Sequence, residues 1–270
     1  MPNWAGYDTA SYLYDPPRQG MTSSCNPNGY DLARFTAAKY TQSANKYFAR
    51  YFLAPNFNPF DPAEIISLRN ATFYYLMPIS APTYARITTS GDVGKQYGRD
   101  DANLTLQRIV AALNSGYGLV LPDNRRLYVY LNIEAGYPIT AWYWEGWSET
   151  VFHYSDPTYG LPFWPAAYAN PNDAATMNML VSYNADTQHT CQGLWTSQLS
   201  ASGSNCSWCN NTPPPSWSSA QGYAGLTVHH WQYTLDEVCN PGGCDSCRPH
   251  LDQDQSNPNF DMALYMLRVT

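Results

Sequence analysis

The chain has 270 residues, of which 13% are charged and 15% aromatic, with 23 Tyr and 9 Trp, and its formal net charge is -7. Without a basic patch, the phosphate-neutralising attraction that supports nucleic-acid binding is missing, which sets nucleic acid aside as a partner. The balance of many aromatics and few charges suits carbohydrate or peptide surfaces better, and the length accommodates one large α/β domain spanning residues 1–270.

In chain order, WAGYDTA (4–10) is a candidate first strand, followed by the Pro/Gly/Ser-rich loop DPPRQGMTSSCNPNG and a helix-like stretch near 30–44. KYFARYFL (46–53) reads as the second strand, and DPAEIISLRN as a helix with Asp61 as cap and Pro62 in its first turn. TFYYLMPIS (72–80) is the third strand. DDANLTLQRIVAALNSG (100–116) is the clearest helix, with Leu104, Ile109, Val110 and Leu113 at helical spacing and Gly116 as its stop. RLYVYLNIE (126–134) is dense in aromatic, β-branched and aliphatic residues, the pattern of a strand buried on both faces.

WYWEGWSETVFHY (142–154) then looks helical, GLPFWPAAYAN is a strand interrupted by prolines, and DAATMNMLVSYN is a further helix. CQGLWTSQL and GLTVHHWQYT complete the strands. Strands regularly separated by helices argue for a parallel sheet with crossover helices. About eight strand candidates over this length favour a single (β/α)8 TIM-type barrel over an open sheet. Two stretches, 201–220 and 234–259, are read as loops long enough to be functional rather than connective.

Five of the seven cysteines lie in two tight clusters, CSWC and CNPGGCDSC. Two readings stand. Cys206, Cys209, Cys244 and Cys247 form two C-x-x-C pairs that could hold a structural zinc, or the cysteines form disulfides that staple the long loops. Loop composition and the odd count favour disulfides, hence an extracellular or virion-associated setting, with at least one thiol free or intermolecular. No run approaches the ~20 apolar residues that span a bilayer. The start MPNWAGYD lacks the regions of a secretory signal, which leaves a processed chain, a cytoplasmic one, or one delivered by other machinery such as a phage particle.

In a barrel the C-terminal ends of strands converge on one face, where Asp8, Glu134 and the pair Asp252 and Asp254 are the candidate carboxylates. Two carboxyl groups across a sugar-sized cleft are what glycosidic cleavage needs, one as proton donor and one to activate water or stabilise positive charge. Each has a plainer alternative. Glu134 could be tied to Arg86 or Arg126, Asp8 could brace the rim through backbone N–H groups, and Asp252 or Asp254 could bind a cation or cap a helix. His229 and His230 alternate along a strand, so they point to opposite faces and cannot form a paired metal site by themselves. Trp231 and Tyr233 share a face and could stack a sugar ring or fill the core. Trp142, Tyr143, Trp144 and Trp147 could line a substrate groove or a surface for a protein assembly partner. Asn70, Asn103, Asn205 and Asn210 open N-x-S/T patterns, which matter only in a secretory eukaryotic setting.

GYDTA on the first strand, YLNIEAG on the fourth, LPFWPAAYANP beyond it, and HHWQYT followed by LDQD resemble the barrel markers of glycoside hydrolase family 25 lysozymes. They resemble still more closely a related glycoside-hydrolase-like domain of unknown function. The resemblance spans roughly residues 4–265 in short motifs and implies a TIM barrel that cleaves the N-acetylmuramyl to N-acetylglucosaminyl bond of peptidoglycan, with no cofactor. It implies Glu134 as general acid, Asp8 as the first-strand carboxylate, and Asp252 or Asp254 as the one after the last strand. One departure stands out. The family's Asp-x-Glu on the fourth strand reads Asn132-x-Glu134 here, and an amide can bond an acetamido group but offers no negative charge. The alternative is therefore a barrel that has lost catalysis and serves as a glycan-binding or structural module of a phage tail or cell-surface assembly.

Overall fold

The computed structural model describes residues 5–9, 14–15, 30–31, 46–55, 59–123, 126–133, 138–160, 163–184, 186, 190–197, 216–217, 220, 222–232, 237–238 and 250–270. For 5–9, 14–15, 30–31, 237–238 and 250–253 it describes the backbone. Eight strands form the framework: β1 (Ala5–Thr9), β2 (Lys46–Leu53), β3 (Tyr75–Ser80), β4 (Leu127–Ile133), β5 (Phe163–Ala169), β6 (Leu194–Ser197), β7 (Val228–Gln232) and β8 (His250–Ser256). They hydrogen-bond in the order β2-β1-β8-β7-β6-β5-β4-β3, and the sheet curls until β2 also pairs with β3. Neighbours run parallel except at β8, which is antiparallel to both β1 and β7. A short C-terminal strand, Leu267–Val269, adds antiparallel to β3 and carries Leu119–Val120 on its far side.

The α/β class is as expected, and the regular (β/α)8 barrel is not what forms. Among the described residues, helices α1 (Glu64–Asn70), α2 (Gly91–Leu113), α3 (Ala141–His153) and α4 (Ala174–Asn184) follow β2, β3, β4 and β5, and none follows β6 or β7. The sequence there is rich in Pro, Gly, Asn and Ser and carries no apolar run at helical spacing. The last strand returns antiparallel to both of its neighbours. It lies within the segment 234–259 expected to be a loop, because HLDQDQS is too polar to announce itself as a buried strand.

Apolar residues divide by strand face, as the twofold alternation requires. Phe48, Phe52, Leu76, Leu127, Val129, Leu131 and Leu194 pack outward against Ile65, Leu68, Leu106, Ile109, Trp144, Trp147 and Leu180 of the helices. Tyr47, Ala49, Tyr51, Met77, Ile79, Tyr128, Tyr130, Tyr168 and Trp195 face the interior, which Met262 and Met266 help to fill. Strands covered on both faces read as continuous apolar runs, which is why β2 to β5 were legible.

Helix ends follow local chemistry. Asp61 donates its backbone N–H to Glu64 Oε1 at 2.9 Å and its Oδ1 accepts from Ala63 N at 2.9 Å, so the expected cap acts one turn ahead of α1. Thr140 caps α3 by accepting from Tyr143 N at 3.2 Å. The buried stripe of α2 runs through Asp101, Ala102, Thr105, Leu106, Ile109 and Ala112, while Leu104 of the expected stripe is exposed. Its glycines set its partner: a Cβ on Gly98 would overlap the Tyr143 carbonyl, and one on Gly146 would overlap that of Lys95, so α2 and α3 touch backbone to backbone.

Candidate functional site

At the strand ends the β-register decides which candidates meet. Asp8 lies directly opposite Asp252 across the antiparallel β1–β8 pair and opposite Ala49 on β2. Asp254 lies opposite Gly6 on β1 and opposite Gln232 on β7. Positions 8, 252 and 254 thus share one sheet face. Asn132, opposite Tyr168 on β5, sits near the C-terminal end of β4. Since β8 runs against β1, its start lies where the parallel strands end, so positions 8, 132 and 252 fall at one end of the curl. Glu134 follows β4 by one residue beyond Ile133 and lies outside the described residues, as do Tyr233 and Cys25, Cys206, Cys209, Cys239, Cys244 and Cys247.

Below this end the interior is polar as well as aromatic. Asp254 is buried, and its Oδ1 accepts a hydrogen bond from Trp195 Nε1 at 3.1 Å. The Gln232 Oε1 accepts from the Tyr168 hydroxyl and, at 3.0 Å, from Ser197 Oγ, tying together the ends of β5, β6 and β7. Asn132 and Tyr168 are buried beside them, at 6% and 7% exposure. Asp254 is therefore an anchored carboxylate inside the curl, and neither a helix cap nor part of a described metal cluster. Among the described residues no three His, Cys, Asp or Glu side chains group as a metal site.

Both histidines of β7 reach the interior, which corrects the expectation of opposite faces. The β6–β7 register shifts between Val228 and His230, and such an irregularity breaks the strict alternation on which that expectation rested. His229 Nδ1 meets the Tyr130 hydroxyl at 3.0 Å, and His230 Nδ1 meets that of Tyr47 at 2.8 Å. His229 also stacks on Phe260 with ring centroids 4.4 Å apart. Burial pushes the His229 imidazole down to about 3, and burial together with neighbouring His229 holds His230 well below its ordinary 6.5. Both rings are neutral in the folded chain at neutral pH. A bulge leaves no trace in sequence, so the only available signal was the HH pair itself.

Room for the His229 ring comes from Gly193, where a Cβ would overlap the imidazole. Gly193→Ala is expected to cost about 1–3 kcal/mol through overpacking, seen as a lower urea midpoint at unchanged m-value. An unchanged midpoint would show that the ring moves aside freely.

Other candidates resolve into packing. Trp231 is fully buried on the face opposite His230 and Gln232 and presents no surface to a sugar. Tyr143, Trp144 and Trp147 are fully buried in the helix layer, which removes the expected aromatic contact surface and leaves Trp142, at 44% exposure in the first turn of α3, alone outside. Arg86 is engaged by Asp101 at 2.8 Å, whose Oδ2 also accepts from the Tyr143 hydroxyl at 2.8 Å. Burial raises the Asp101 carboxyl despite these two partners. Arg126 lies over the Trp164 ring at 4.5 Å. Cys191 is a buried free thiol, pushed up to about 12 by burial and thus chemically quiet. An open cavity of about 560 Å³ lined by Arg99, Asn103, Glu149, Thr150, His153, Tyr154 and Ser155 lies on the outer face of α2 and α3, where no expected site residue lines it. Among the described residues, no helix is long and apolar enough to cross a membrane.

No family model matches the chain, and no curated protein matches it. Among solved structures, the 1.07 Å crystal structure of an uncharacterized B. stearothermophilus protein aligns with a TM-score of 0.61 over 96% of this chain and 98% of that one, at 18% identity. At that identity the likeness is one of fold, and it extends over nearly the whole length of both chains.

Proposed function

We propose that this chain is a glycoside-hydrolase-like barrel acting on bacterial cell-wall peptidoglycan by muramidase-type cleavage, in an extracellular or virion-associated setting. The observation that carries the reading is the register pairing of Asp8 with Asp252, at the same strand ends that hold Asn132 and lead into Glu134. Three residue positions, 8 on β1, 132 on β4 and 252 on β8, thereby lie at one end of the curl, although up to 244 positions separate them in the chain. Glu134 would donate the proton to the leaving oxygen, and Asp8 with Asp252 would activate water or stabilise the oxocarbenium-like state. Asn132 would hold the acetamido group. Asp254, held by Trp195, would brace the floor rather than meet the sugar.

A second reading is favoured by Asn132 itself. Loss of one preorganised transition-state interaction costs about 2.7–4 kcal/mol, enough to leave a barrel that binds glycan without cleaving it. Muropeptide release from purified peptidoglycan separates the two. Wild-type protein is expected to generate new reducing ends, and Glu134→Gln to lower the rate by about 10²–10⁴-fold, the usual worth of a positioned general acid. Glycan binding without release by either protein would establish the binding module, and neither binding nor release would remove peptidoglycan as the ligand.

A further inference from the structure

Among the described residues, two nitrogens in the interior of the curl meet no hydrogen-bond partner: Nε2 of His230 and Nε2 of Gln232, in side chains that are fully buried. Buried polar groups in folded proteins almost always have a partner, so a pair of them on one face of one strand marks a place where a ligand completes the bonding. The rest of each side chain is already committed. The Gln232 Oε1 accepts the Tyr168 and Ser197 hydroxyls, which turns the amide NH₂ to the other side. His230 Nδ1 is taken by Tyr47. Trp195 and Ser256 flank His230 in register, and Asp254 flanks Gln232 while accepting from the Trp195 indole, which walls the space around the two nitrogens.

The chemistry of the occupant follows from these walls. An NH₂ group only donates, whereas a neutral imidazole nitrogen donates or accepts according to tautomer, so the occupant must accept at one end and adapt at the other. The Asp254 carboxylate on the same face disfavours an anion. Among the described residues no three His, Cys, Asp or Glu side chains group together as metal ligands. An apolar occupant would leave both nitrogens unmet. Same-face positions two apart on a strand are separated by about 6.7 Å at the backbone, and two bonds of about 2.9 Å reach at most about 5.8 Å, so the two side-chain ends need lean together by only about 1 Å for one water molecule to meet both.

We propose that His230 and Gln232 hold a buried water molecule, which completes a hydrogen-bonded chain from Tyr47 through His230 and Gln232 to Tyr168 and Ser197. This chain runs from the middle of the interior to the strand ends and fixes the His230 tautomer. It stands whether or not the chain cleaves glycan.

Crystals of the full-length protein diffracting to atomic resolution, together with ¹⁵N NMR of the imidazoles, test it. The expected result is one solvent peak about 2.7–3.2 Å from both nitrogens. In Gln232→Met the peak should weaken or vanish, and the His230 Nε2 resonance should shift while those of His229 hold. Continuous protein density or a void between the nitrogens, a peak that refines as an ion, or a His230 resonance unmoved by Gln232→Met would overturn it. If Gln232→Met does not fold, the wild-type density decides alone.

Discussion

Acidification below pH 6.5 is expected to destabilise the folded chain through His229 before most carboxylates titrate. The ordinary imidazole value is 6.5 and the folded one about 3. Above 6.5 the ring is neutral in both states, and its titration contributes nothing to the balance. Between 6.5 and 3 the unfolded chain takes up a proton that the folded chain refuses, so stability falls as the pH falls. At about 1.4 kcal/mol per pH unit, the loss reaches on the order of 5 kcal/mol across that window, a large share of a typical domain's stability. His230 acts in the same direction, because burial and His229 hold it neutral as well. Urea midpoints measured from pH 7.5 to 4 should decline steeply below 6.5, and His229→Gln should flatten part of that decline. A wild-type midpoint that stays level down to pH 5 would mean that the ring is hydrated and ionises in place.

Breaking the buried ion pair of α1 and β2 should be comparably severe. Arg50 is fully buried and holds Glu64 through two bonds, Nε to Oε2 at 2.9 Å and Nη2 to Oε1 at 3.0 Å. Glu64→Ala removes two carboxylate bonds from a fully buried guanidinium and the acceptor for the Asp61 N–H, so a loss of about 3–5 kcal/mol is expected. The double variant Arg50→Met with Glu64→Leu should recover much of it, because both buried charges are gone and apolar volume replaces the pair. Equal losses for the single and double variants would locate the cost in packing instead. The measurement is the denaturant midpoint at pH 7 for all three proteins.

These two results concern residues whose roles were invisible in sequence. KYFARYFL announced a buried strand correctly, but nothing in it says that Arg50 is fully covered or that its partner lies fourteen positions later in another element. Likewise HLDQDQS carries no apolar alternation. It becomes a strand because β1 and β7 offer it two antiparallel partners, and because Asp254 finds an indole donor inside the curl. Periodicity detects burial only where burial is apolar.

The sequence by itself determined seven of the eight strands and four helices of the framework, because strands covered on both faces and amphipathic helices leave continuous or periodic apolar patterns. It also singled out Asp8, Asn132, Asp252 and Asp254. Only the tertiary structure decided which of these meet: the β1–β8 register sets Asp8 beside Asp252, and it sends Asp254 inward to Trp195. Only the tertiary structure turned Tyr143, Trp144, Trp147 and Trp231 into core and brought both histidines inside past an irregularity in β7. The physical reason is the same throughout. Strand pairing and face are properties of register between distant segments, whereas composition and period are properties of one segment alone.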